Sequence, residues 1–188
     1  MKKYLIFAGV NGAGKTTLYQ TNSKYKDLPR VNMDEIVRKF GSWKNSVDVL
    51  KAGKIAVKQI KEYFDNGKSF NQETTLCGYS IFKNVKKAKD LGYEVELYYV
   101  GVGTAELAKR RVEQRVRDGG HGIPPEDIER RYVESLENLQ KVMPLCNRVI
   151  IYDNTKSFRK IISFVNGECK DRAEEIPEWC EKILMSNR

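Results

Sequence analysis

Histidine is almost missing from this 188-residue chain, which has one, His121. Cysteine is sparse as well, and Cys77, Cys146, Cys169 and Cys180 are scattered without a C-x-x-C pair. One imidazole and four separated thiols give no ligand set for a structural zinc and no framework of disulfides. In a reducing compartment such thiols serve as small buried apolar groups or incidental surface groups. Long apolar runs are also lacking, so no segment approaches the ~20 residues that a membrane-crossing helix needs. Met1-Lys2-Lys3 and the apolar residues after it have the outline of a signal peptide. The run is short, however, and passes into a glycine-rich stretch without a cleavage-type site. These absences predict a cytoplasmic protein with no membrane partner. Internal repeats and composition breaks are missing too, and residues 1–188 read as one domain with a substantial core.

Positive charge is in excess, with 34 Lys and Arg against 25 Asp and Glu and a net charge of +9. Such a balance favours anionic partners without naming them. The basic residues are uneven: Lys109, Arg110, Arg111, Arg115, Arg117, Arg130 and Arg131 crowd into one region. Nucleic acid would suit the charge, but no recognisable nucleic-acid module accompanies it, so a nucleotide and a small anionic substrate are the better fit.

The most specific pattern is Gly9-Val10-Asn11-Gly12-Ala13-Gly14-Lys15-Thr16, a G-x-x-x-x-G-K-[ST] phosphate loop. Tyr4 to Ala8 reads as a buried strand before it, and Thr16 to Gln20 can continue as a helix after it. The loop must turn backbone N–H groups toward a polyphosphate, and Gly12 and Gly14 permit the angles this requires. Lys15 then neutralises the β and γ phosphates, while Thr16 offers a hydroxyl to Mg²⁺. Asn11, Gly12, Ala13, Gly14, Lys15, Thr16 and Thr17 are therefore the expected ATP-binding residues. A dinucleotide-binding turn is the rival, with Asp34 near the place of a ribose-binding acid. It gives Lys15 no task, and the glycines do not follow G-x-G-x-x-G.

Further along, Arg30-Val31-Asn32-Met33 reads as a short strand ending at Asp34, and Ser46 to Asn66 as a helix with Ser46 as its cap. Ser69 to Gln72 is the next strand, Ile81 to Leu91 a helix, and Val95 to Val100 the clearest strand. Helices follow from Thr104 to Asp118 and from Pro124-Pro125 to Met143, then a last core strand, Arg148 to Tyr152. This alternation predicts a parallel sheet with helices on both faces, and ligands at the carboxyl ends of the strands. The tail beginning at Pro177, with Trp179, Ile183 and Leu184, reads as packing.

Polar residues at those strand ends carry the expected chemistry. Asp34 can accept the proton of a substrate hydroxyl as its oxygen attacks the γ-phosphorus, or hold the hydration shell of a metal. It could equally cap a helix over Glu35 to Phe40, and the two roles are compatible. Glu73 and Thr74 end the following strand, beside Asp34, where they would orient an acceptor or cap the next turn. Arg111 and Arg115 lie one helical turn apart, and the glycine break Gly119-Gly120-His121-Gly122 follows them. A lid over about residues 105–131 would bring these arginines to a transferring phosphoryl group and exclude water, the alternative being a solvated basic face. His121 is read as a lid or substrate contact. Asn154, after the last strand, is a candidate for the adenine base, or part of an Asp-Asn turn.

Taken together, these segments resemble the zeta-toxin-like family of small P-loop kinases. The resemblance runs through Gly9 to Thr16, Val31 to Asp34, Gln72-Glu73-Thr74-Thr75, Arg111 to Pro124, Arg130-Arg131-Tyr132 and Tyr152-Asp153-Asn154. It implies ATP with Mg²⁺, Asp34 as the base, Glu73 and Thr74 facing the substrate, and Arg111 and Arg115 on the γ-phosphate. The best-known members of that family phosphorylate UDP-N-acetylglucosamine and are held inactive by an antitoxin, so the resemblance implies such an acceptor and such a partner. The chain departs from the pattern at His121, which aligns with a second lid arginine, and Arg117, Arg130 or Arg131 would have to supply that charge. The competing class is a nucleotide-gated ATPase or binding module acting on nucleic acid or a protein. A transporter ATPase is disfavoured, since the chain has neither a Leu-Ser-Gly-Gly-Gln signature nor an apolar run ending in Asp-Glu.

Overall fold

Tyr4, Leu5, Ile6, Phe7 and Ala8 are fully buried, as a central strand covered on both faces requires. A computed structural model describes residues 1–22 and 26–185 of the chain. The strands are β1 (Lys3–Ala8), β2 (Arg30–Val31), β3 (Phe70–Thr74), β4 (Glu94–Gly101), β5 (Arg148–Asp153), β6 (Arg159–Val165) and β7 (Glu168–Arg172). They form one sheet in the order β2-β3-β1-β4-β5-β6-β7. The five strands from β2 to β5 are parallel, as the alternation with helices predicts.

The last two strands depart from the expected all-parallel sheet, because β6 runs antiparallel to β5 and β7 antiparallel to β6. Their cause is local. Asn166 and Gly167 both have positive φ, at 50° and 83°, which suits the two-residue turn that matches the twist of a hairpin.

The helices are α1 (Lys15–Thr21), α2 (Met33–Arg38), α3 (Ser46–Asp65), α4 (Tyr79–Asp90), α5 (Ala105–Arg117), α6 (Pro125–Val142) and α7 (Glu178–Met185). Alternate residues of β1 and β4 feed two cores. Tyr4, Ile6, Val95, Leu97 and Tyr99 face the helices α3, α4 and α7 and the end of α6. Leu5, Phe7, Tyr98 and Val100 face α1, α5 and the start of α6. In α3 the buried positions Ala52, Ala56, Ile60 and Phe64 recur every four residues, which keeps them on one face of the helix.

Two expected caps move by one or two positions. Asn45, not Ser46, accepts the amide of Val47 at the start of α3. Asn32, not Asp34, caps α2, its Oδ1 accepting the amides of Asp34 and Glu35 at 2.9 and 3.4 Å. An extended backbone at Asn32 already gives the cap geometry, so Asp34 falls inside the first turn. Part of the loop expected over Lys24 to Pro29 lies outside the described residues.

Candidate active site

The phosphate loop connects β1 to α1, and its curvature rests on Gly12 and Gly14, with φ of 80° and 109°. A Cβ on Gly12 would stand 2.7 Å from the Ala108 carbonyl oxygen, and one on Gly14 would stand 2.6 Å from Asn154 Nδ2. Both positions therefore need glycine twice over, for the angle and for the space. Lys15 is buried, and its Nζ donates to the carbonyl of Val10 at 3.2 Å. Burial pulls its ammonium below the ordinary lysine range, while the carboxylates of Glu73 and Asp34 pull the other way. A buried cation beside a glycine-lined loop suits a polyanion, which would supply the missing negative charge.

Three elements hold the loop. Asn154, just past β5, donates Nδ2 to the Ala13 carbonyl at 2.9 Å. One N–H of that amide is thereby engaged with the loop backbone. Asn11 accepts from Arg131 of α6 at 3.2 Å. Arg111 of α5 packs against Gly12, donates to the carbonyl of Thr155 at 3.3 Å, and keeps a buried Nη1 with no hydrogen-bond partner among the described residues. Thr17 is exposed beside these groups.

On the other side of Lys15 the carboxylates separate into two environments. Glu73, at the end of β3, has both oxygens 3.2 Å from the Thr16 hydroxyl and is 2.5 Å from Arg30 Nη2. Arg30 was not legible as a site residue. Its guanidinium is buried over the ring of Tyr19, 3.5 Å from the centroid, and also reaches Glu35 at 2.9 Å. Thr74 accepts the amide of Leu76 at 3.0 Å, and so supports the turn after β3. Glu73 thus stands toward Thr16 rather than alone before an acceptor.

Asp34 is more open, with a side chain 41% exposed, and its Oδ2 lies 3.2 Å from Nδ1 of His121. His121 is buried, packs edge-on against Trp43 at 5.9 Å, and is tied to Arg115, whose Nε donates to the His121 carbonyl at 2.8 Å. Burial lowers the pKa of the imidazole below its usual value, Arg115, Arg38 and Lys15 add to that, and Asp34 opposes it. Burial likewise lowers Arg115, with Asp34 and Glu73 opposing.

Of the three arginines that could supply the second lid charge, the structure brings Arg131 alone to the loop. Arg117 binds Gln114 on the exposed face of α5, and Arg130 binds Asp127 and Glu134 on the outside of α6. Among the described residues no group of three or more His, Cys, Asp or Glu side chains could hold a metal. A P-loop magnesium is bound differently, by a hydroxyl and the phosphates, and the paired oxygens of Thr16 and Glu73 are hard donors of the kind it takes. The four cysteines are unpaired thiols. No helix among the described residues is long and apolar enough to cross a membrane.

A phosphate loop after the central strand β1, Glu73 at the end of the adjacent β3, Asp34 just past the next strand β2 and arginines on the helix after β4 make up a P-loop kinase fold. The family model described as Zeta toxin matches residues 1–162, and the chain belongs to that family. Family and fold are those of ATP-dependent phosphotransferases. An uncharacterised protein of Haemophilus influenzae is 30% identical over 130 residues, covering 69% of this chain and 92% of that one. A chain of the AvrRxo1-ORF1:-ORF2 complex with ATP superposes with a TM-score of 0.74 at 17% identity, covering 100% of this chain. The present chain spans 64% of its length. A chain from the PezAT chromosomal toxin-antitoxin system of Streptococcus pneumoniae gives a TM-score of 0.63 at 18% identity, with 100% and 84% covered.

Proposed function

We propose that this protein transfers the γ-phosphoryl group of ATP to a hydroxyl of a small anionic acceptor, such as a nucleotide sugar of the UDP-N-acetylglucosamine type. The observation that carries the reading is the glycine-lined phosphate loop with Lys15 buried in it, near enough to Glu73, Asp34 and Arg115 that all three charges act on its ammonium. In this reading Asp34 takes the proton of the acceptor hydroxyl while its oxygen attacks the γ-phosphorus and the bond to the β-phosphate oxygen breaks. Lys15, Arg111 and Arg115 hold the phosphoryl oxygens, and the loop 119–124 with the end of α5 serves as the lid.

Thr16 would hold Mg²⁺ together with the phosphates, and the ion would neutralise charge developing between the β and γ groups. Glu73 is assigned to that side of the site, through its hydrogen bonds with Thr16, and Thr74 to the turn that shapes it. The excess of basic groups supports an anionic acceptor. A protein partner of the antitoxin kind is proposed from the family and from the two-component assemblies of the structural relatives. A cytoplasmic setting follows from the need for ATP.

The test is incubation with γ-labelled ATP, magnesium and a panel of nucleotide sugars, nucleosides and metabolite extract, read by mass spectrometry for one added phosphate. Transfer that disappears in Asp34→Asn while ATP binding persists supports the reading. Undiminished transfer in that variant ends the assignment of Asp34 as base.

A further inference from the structure

His121 sits between the two groups on which the proposed reaction depends, and its contacts with them constrain its chemical state. Nδ1 is 3.2 Å from Asp34 Oδ2, and Nε2 is 3.5 Å from Arg115 Nη2. An ionised carboxylate only accepts hydrogen bonds and a guanidinium only donates them. The ring can satisfy both at once in a single form, neutral, with its hydrogen on Nδ1 and its lone pair on Nε2. A doubly protonated ring would set Nε2–H against Arg115, and the other neutral tautomer would set a lone pair against Asp34.

The backbone enforces the same arrangement. The Gly120 amide donates to the Arg115 carbonyl at 2.7 Å, which folds the chain back over the last turn of α5. The Arg115 side chain then closes the loop from the other side through its Nε bond to the His121 carbonyl. Trp43, in the connection between α2 and α3, covers the ring edge. Around the imidazole stand Asp34 and Arg38 from α2, Lys15 from α1 and Arg115 from α5, with Glu73 from β3 acting on Arg115.

We infer that His121 is a positioning residue, a neutral imidazole that clamps the Asp34 carboxylate to the lid arginine Arg115 so that docking of the Gly119–Gly122 loop sets both groups together. The inference rests on the reading of Asp34 as base and goes beyond it. It replaces a substrate contact at His121 with an internal one, and it gives a physical reason for histidine here. An arginine could not accept from Arg115, whereas a neutral imidazole joins a carboxylate to a guanidinium through one ring.

Because His121 is the sole histidine, imidazole ¹⁵N spectra of untagged protein read it directly. The expected spectrum near neutral pH is that of a neutral ring protonated at Nδ1. Asp34→Asn should lower the pH at which the ring half-titrates, since an anion that favours the imidazolium is gone, and Arg115→Met should raise it, since a cation that opposes it is gone. A ring protonated at Nε2, or a midpoint that neither variant moves, overturns the inference.

Catalysis supplies the second arm, with γ-labelled ATP and water as the acceptor. His121→Leu keeps the volume and loses both polar contacts, and should slow transfer about tenfold or more with ATP affinity changed by no more than about twofold. His121→Asn, which can still offer an N–H near the Nδ1 position, should recover more of the rate than His121→Leu. A His121→Leu variant at the wild-type rate refutes the positioning role. Transfer surviving in Asp34→Asn would defeat the base assignment, yet the spectra would still decide whether His121 bridges the pair.

Discussion

Asn154 Nδ2 donates to the carbonyl oxygen of Ala13 at 2.9 Å, across 141 positions of sequence, and so ties the end of β5 to the phosphate loop. Asn154→Ala removes that bond, worth about 1 kcal/mol, and should weaken ATP binding by roughly fivefold in calorimetry. Asn154→Asp, which sets two acceptors against each other, should weaken it further. The ratio of ATP to GTP affinity should stay the same, and a change in that ratio would place Asn154 on the base instead.

The pair of Arg30 and Glu73 is buried on both sides, with side chains 8% and 9% exposed. Arg30→Met strands the Glu73 carboxylate and should lower the urea-unfolding free energy by about 3–5 kcal/mol. The double variant Arg30→Met with Glu73→Gln removes the orphaned carboxylate and should regain part of that loss, Glu35 and Lys15 having each lost one opposite charge. If the double variant is no more stable than the single one, the ion pair is not the cause.

Trp179 of α7 lies against β4 so closely that a Cβ on Gly101 would be 2.2 Å from a ring carbon. Its Nε1 also donates to Asp153 at 2.9 Å. Gly101→Ala should expel the indole and destabilise the fold by about 1–3 kcal/mol, with a red shift of tryptophan fluorescence. Trp179→Leu in that background should recover part of the loss.

Acid should weaken the fold through His121. Its imidazole titrates below the usual 6.5 when folded, mainly through burial. As the pH falls, the unfolded chain therefore takes up this proton first, and stability is lost through 6.5 and on toward the folded value. Above 6.5 the contribution is fully present. Urea midpoints measured between about pH 7.5 and 5.5 should fall with acid, and His121→Asn should flatten that slope.

Local rules explain what could be read from the residues alone. The phosphate loop was legible because glycine, lysine and threonine each answer a separate physical demand at a fixed spacing. The parallel strands were legible because burial on both faces leaves continuous apolar runs. The β6–β7 hairpin had a signal in Asn166-Gly167, but β7 is exposed throughout and lacks the apolar pattern that marks a strand. Arg30 could not be found from sequence, since its partner Glu73 lies 43 positions away and nothing local distinguishes it from other basic residues. His121 was legible as a departure within the glycine break, though its link to Asp34 depends on how that break folds back. Arg131 stood in the sequence as one of three candidates, and only the packing of α6 on the loop separates it from Arg117 and Arg130.

Both rims of the sheet are blunted. β2 has two residues, and β7, Glu168-Cys169-Lys170-Asp171-Arg172, points charge of alternating sign into water along its whole length. A rim so short on one side and so strongly hydrated on the other is a poor template for another strand, so copies of this chain should resist joining sheet to sheet even when crowded.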